Sequence, residues 1–174
     1  MAKQYYYLVA SLPYLKFADQ PAITKKIFLE ECEKWLSPKE VEAILSLEDV
    51  HGTGESAFLA LREWKEFDLS FRQGLLSYRE ERQKGNDKKG FVSGNALEAG
   101  NPLEMEMNFE KARWDFLENL QVGHYFDIQK IMIYFLQLGI LVRLAKFDKD
   151  KGEAYFHEIC EVKYGNEAGE GPIS

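Results

Sequence analysis

The chain has 174 residues, with 22 Lys+Arg against 29 Asp+Glu and a net charge of −7, a balance that argues against a general binder of nucleic-acid backbone. It is 45% hydrophobic and holds 12 Phe, 9 Tyr and 3 Trp, enough apolar surface to exclude global disorder. The longest uncharged runs, residues 4–15 and 131–142, are twelve residues each, well short of the roughly 20 that a membrane-spanning helix needs.

The first run is Tyr5-Tyr6-Tyr7-Leu8-Val9-Ala10-Ser11. Its aromatics favour a strand, but so short a run fits a buried helix as well. Both readings stay open at this point, and Pro13 ends either one. Lys3 ahead of the uncharged run has the outline of a signal peptide. Gln4 and the tyrosines make a poor apolar region, however, and Pro13-Tyr14 offers no small-residue cleavage pattern. Cys32 and Cys160 stand alone, with no CxxC and no His/Cys cluster, which points to two reduced thiols and a cytoplasmic protein.

Residues 23–36 read as a helix, because Ile27, Phe28, Cys32, Trp35 and Leu36 recur at three- and four-residue spacing and predict one apolar stripe. Ser37-Pro38-Lys39-Glu40 follows, a capping box with proline at the first helical position. The helix that it opens runs to about residue 49. From residue 55 to 83, Phe58, Leu61, Trp64, Phe67, Phe71, Leu75 and Tyr78 alternate steps of three and four. That seam wants a partner helix along its whole length.

Residues 84–102 contain Gly85, Gly90, Gly94 and Gly100 and read as a flexible connection. They separate an N-terminal half, 1–83, from a C-terminal half, 103–164, and residues 165–174 read as a disordered tail. In the second half, residues 103–122 form a helix lined by Phe109, Ala112, Phe116, Leu117 and Leu120, stopped by Gly123. Asp127 caps residues 128–146, a helix apolar nearly all round, which belongs at the centre of a bundle. Residues 153–164 close the series, with Ile159 and Cys160 facing in. The expected fold is an all-α bundle of about five helices in one compact domain, with a short N-terminal strand as the one open element.

No motif announces catalysis. Gly52-Thr53-Gly54-Glu55-Ser56 lacks the lysine and spacing of a P-loop. An anion could still meet free helix amides there, which makes a small-molecule or nucleotide-binding regulatory domain the alternative reading. Asp148-Lys149-Asp150-Lys151-Gly152-Glu153 misplaces the glycine of a calcium loop and puts Ile159 where a bidentate Glu is needed. His51, His124 and His157 lie in separate segments. Glu30–Glu31, Glu80–Glu81 and Glu104 with Glu106 fall on polar faces or loops, where nothing desolvates one carboxyl for acid–base work. No catalytic, cofactor-binding or metal residue is therefore assigned. Four arginines stand out instead. Arg143 ends the uncharged run of a helix that should be buried, and Arg113 adjoins Trp114. Arg72 and Arg79 lie on the long helix as exposed cations. Arginine is enriched at binding hot spots, so all four are candidates for a partner interface.

The opening Tyr5-Tyr6-Tyr7-Leu8-Val9-Ala10-Ser11-Leu12-Pro13 resembles the start of a bacterial family encoded among the genes for V-type (archaeal/vacuolar-type) ATPase subunits. Phe109, Arg113-Trp114, Phe126-Asp127, Tyr134, Leu138, Ile140-Leu141, Arg143, Phe147-Asp148 and Gly152 resemble the same family. The opening is also similar to that of the all-helical adaptor of archaeal-type ATPases, which sits on the membrane rotor ring and receives the central stalk. There the opening continues into an arginine-containing helix, where this chain has Ser11-Leu12-Pro13. The resemblance implies a non-catalytic component or assembly accessory whose partners are other V-type ATPase subunits. It would sit at the cytoplasmic face of the membrane through those subunits, with self-association left open.

Overall fold

A computed structural model describes residues 2–48, 58–85 and 101–147, together with 157 and 159. Six helices are defined among them: α1 (Ala2–Ser11), α2 (Lys25–Trp35), α3 (Pro38–Leu45), α4 (Leu59–Gln83), α5 (Pro102–Leu120) and α6 (Ile128–Leu144). The described residues contain no strand, so the fold is all-α.

The open N-terminal element is a helix. Leu8 is fully buried, and Tyr5, Val9 and Leu12 pack with it against the main core. These four positions follow i, i+3, i+4, i+7, the repeat of one helical face. Tertiary packing thus overrides the strand preference of three consecutive tyrosines. The helix stops where expected, ahead of Pro13, and the Ser11 hydroxyl donates to the Leu8 carbonyl at 2.7 Å.

Thr24 caps α2, its hydroxyl oxygen accepting from the Ile27 N–H at 3.2 Å. The stripe expected on this helix is narrower than its spacing implied. Phe28, Cys32 and Leu36 are buried, but Ile27 and Trp35 are exposed. The capping box of α3 forms as the sequence predicts. The Ser37 N–H and hydroxyl both donate to Glu40 Oε2, at 2.8 and 2.6 Å. Glu40 also accepts from the Tyr5 phenol, which ties α1 to the start of α3.

The seam of α4 finds its partners. Leu61, Trp64 and Phe71 are buried, and Phe67 stacks on Phe116 of α5 with ring centres 4.0 Å apart. At the far end of α4, Phe71 and Phe109 form a smaller apolar cluster with Leu75, Tyr78 and Met105. The first turn of α4 has no side-chain cap of its own. Gln129 of α6 serves it instead, accepting from the Ala60 N–H at 2.9 Å. After α5, Gly123 takes φ +90°, a left-handed conformation that glycine adopts at little cost. Asp127 then caps α6 through the Lys130 N–H at 2.9 Å.

Helix α6 is the hub and touches all five other helices. Ile131, Met132, Ile133, Phe135, Leu138, Ile140 and Leu141 are buried in it. The main core draws on residues 8–64 and 114–141 alike, so both halves of the chain share it. No helix among the described residues is long and apolar enough to cross a membrane.

Several expectations fall on residues outside the described set. These are the Gly52–Ser56 loop, the body of the 84–102 connection, the Asp148–Gly152 turn, Cys160 and the 165–174 tail. Of the expected last helix, His157 and Ile159 are described. Both are helical, and both are exposed, so Ile159 does not face in as expected.

Candidate functional site

Three of the four candidate arginines converge on one charged cluster. Asp68 on α4 and Glu110 on α5 are only 3% and 2% exposed, both beneath Arg113. Arg113 NH1 donates to Glu110 Oε1 at 2.9 Å, and its NH2 lies 3.2 Å from Asp68 Oδ1. The same guanidinium sits over the Phe71 ring at 5.0 Å. Arg143, in the last turn of α6, places Nε 3.1 Å from Glu110 Oε1 and NH2 3.1 Å from Glu106 Oε2. Arg72 Nε stands 2.8 Å from Asp68 Oδ2, at an angle outside hydrogen-bond geometry.

This arrangement follows from helical spacing. Asp68 and Arg72 are four residues apart on α4, and Glu110 and Arg113 three apart on α5, so each pair shares one face. A cation at the C-terminal end of α6 also suits the helix dipole. Three arginines meet three carboxylates, so no net charge is left over for a ligand. The cluster bolts α4, α5 and α6 together. Arg113 and Arg143 therefore have partners within the chain, and Arg72, though partly exposed, is no free surface cation. Arg79 is exposed and makes no ion pair among the described residues. It borders a groove of about 400 Å³ with Leu75, Tyr78, Arg82, Met105 and Phe109.

The described surface carries a second feature that no sequence motif singles out, a run of aromatic side chains in mutual contact. Tyr7 of α1 stacks on Trp35 at the end of α2, with centroids 5.6 Å apart and planes at 22°. Tyr6 packs against Phe126, in the turn before α6, at 4.8 Å, and against Tyr7 edge-on at 5.8 Å. Tyr6 is 50% exposed and Tyr7 54% exposed, and Trp35, Tyr125 and Phe126 are exposed as well. Contiguous exposed aromatics are the usual mark of an interaction surface. The sequence signal was present in the surplus of tyrosines around position 6. Which of them faces out depends on α1 being a helix, and the sequence left that open.

The residues beneath this patch anchor it. Tyr5 points inward to Glu40, and that hydrogen bond, with burial, pushes the phenol pKa up to about 12. Burial opposes ionisation of Glu40, but hydrogen bonds from Ser37 and Tyr5 outweigh it and hold the carboxyl below its ordinary range. His124 Nδ1 lies 2.6 Å from Asp127 Oδ2, which fixes the turn that presents Phe126. Buried Cys32 has its thiol pKa raised to about 12, chiefly by burial, so it is not a reactive nucleophile at neutral pH. Among the described residues, no group of three or more His, Cys, Asp and Glu side chains could hold a metal ion.

Residues 94–164 match a family described as a protein of unknown function, DUF2764. The match spans less than half of the chain and takes in α5, α6, Phe126, Arg113 and Arg143. No curated protein and no solved structure matches the chain.

Proposed function

We propose that this chain is a non-catalytic helical component or accessory of a V-type ATPase, an adaptor between stalk and membrane rotor or a factor in their assembly. The observation that carries the reading is the exposed aromatic patch of Tyr6, Tyr7, Trp35 and Phe126. Tyr6, Tyr7 and Phe126 belong to the very segments that resemble the family encoded among ATPase subunit genes. Stacking on one another still leaves about half of Tyr6 and Tyr7 in water, whereas a docked partner would bury them. The body behind the patch suits an adaptor, since a hub helix and a three-helix charge cluster resist deformation under load. The net charge of −7 would speed encounter with a basic partner surface.

The test is affinity purification of the tagged protein from its own cells after gentle solubilisation of membranes. ATPase stalk or ring subunits are expected in fixed ratio with the wild-type chain. They are lost with the double variant Tyr6→Ser/Tyr7→Ser, whose melting temperature stays close to wild type. Recovery of the chain alone, with an intact and active ATPase elsewhere, overturns the reading.

A further inference from the structure

Along α6, Lys130, Tyr134 and Gln137 occur at i, i+4 and i+7 and share one face. They line a cavity of about 450 Å³, closed by Glu118 and Gln121 at the end of α5 and by Val9, Leu12 and Leu15 from the N-terminal segment. That volume is typical of small-molecule sites. Gln137 is only 5% exposed, and its amide makes no hydrogen bond to another described residue. The amide is not sealed in the core but opens on the cavity, where a ligand can meet it. Lys130 is half-buried and has no ion-pair partner among the described residues. Burial lowers its pKa, and an arriving anion would favour its charged form. The Tyr134 hydroxyl donates to the Pro13 carbonyl at 2.9 Å and keeps its oxygen free to accept.

We propose that this cavity between α1, α5 and α6 binds a small organic monocarboxylate with an apolar chain. The carboxylate takes its counter-charge from Lys130, the Gln137 amide supplies a hydrogen-bond donor, and the chain lies on Val9, Leu12 and Leu15. Glu118 accepts from the Trp114 indole N–H at 2.9 Å, which holds its carboxyl group in the cavity wall, where it disfavours phosphates and dicarboxylates. One lysine opposite one glutamate is also too little positive charge for a nucleotide triphosphate.

The experiment is a thermal-shift and calorimetric titration of the full chain with hexanoate, beside hexanamide and inorganic phosphate. Hexanoate is expected to raise the melting temperature saturably, because a ligand of the native state must stabilise it. Hexanamide and phosphate should do so far less. Lys130→Met should weaken hexanoate binding about tenfold or more. Gln137→Met should also weaken binding, while leaving the melting temperature of the unliganded protein close to wild type, because its amide bonds to no other described residue. Lost binding with unchanged stability separates a ligand-binding role from a structural one. The proposal fails if no saturable shift appears by about 10 mM hexanoate, where even a millimolar site would be well filled. It fails equally if phosphate or hexanamide binds as well as hexanoate, or if Lys130→Met leaves binding intact.

Discussion

Replacing Arg113 with methionine removes the one side chain that touches both buried carboxylates of the charge cluster. Glu110 keeps Arg143 Nε at 3.1 Å and so remains paired. Asp68 keeps only Arg72, whose approach at 2.8 Å lacks hydrogen-bond geometry. Asp68 is 3% exposed, so its charge has little recourse to water. Breaking a buried pair by removing one partner costs about 3–5 kcal/mol, and the surviving partners put this case near the lower figure. For a chain of this size about 3 kcal/mol corresponds to a fall of roughly 6–12 °C in melting temperature. The double variant Asp68→Leu/Arg113→Met should recover most of that loss, because apolar replacements remove the unpaired charge together with its partner. The assay is thermal and urea denaturation of the wild type, both single variants and the double. A single Arg113→Met variant that melts within about 3 °C of wild type would refute the structural account. Additive losses in the double variant would refute it too, since contacting residues must couple.

Two further outcomes are expected. Leu8→Ala deletes a fully buried side chain where α1 meets the core. It should cost about 2–5 kcal/mol in denaturant titrations, whereas Ala at the neighbouring exposed Tyr7 should cost far less. The sign of the alkaline pH dependence follows from Cys32, Tyr5 and Tyr134, each with a folded-state pKa raised to about 12, Tyr134 by burial alone. Raised acids favour folding while protonated. Their stabilisation is complete below their unfolded values, about 8.5 for Cys and 10 for Tyr, and is lost as pH climbs towards 12. Circular dichroism followed alongside tyrosinate absorbance should show unfolding and ionisation advancing together through that interval. A Tyr5→Phe/Tyr134→Phe variant that shows two fewer tyrosinates than wild type near pH 10, with both proteins still folded, would contradict it.

The parts of this fold that were legible in the sequence are those in which a local pattern decides the outcome. Ser37-Pro38-Lys39-Glu40 is a self-contained cap, and it forms. The uncharged run before Arg143 could satisfy itself only in a core, and α6 is the hub. Where a segment's surroundings decide, the sequence was silent. Three tyrosines in a row favour a strand, and only the fit of Leu8 into the core makes them helical. Ile27 and Trp35 sit at the margin of an apolar stripe, and which margin faces water depends on where α1 docks. Arg72, Arg113 and Arg143 looked like interface cations because Asp68 and Glu110, which neutralise them, belong to two different helices. Lys130 and Gln137 were hidden by the apolar character of the helix that carries them. A seven-residue interval between two polar side chains there was the available signal.

The position of the hub along the chain bears on how the protein comes off the ribosome. Helices α1 to α5 each lean on α6, and α6 begins only at Ile128. Until about three-quarters of the chain has been made, Leu8, Phe28, Ile44 and Leu61 have no hub to close over them. Long-range contacts of this kind form late, and the apolar faces awaiting them stay open to other chains in the meantime. A nascent chain stalled before residue 128 would thus be a client for chaperones rather than a folded half-protein.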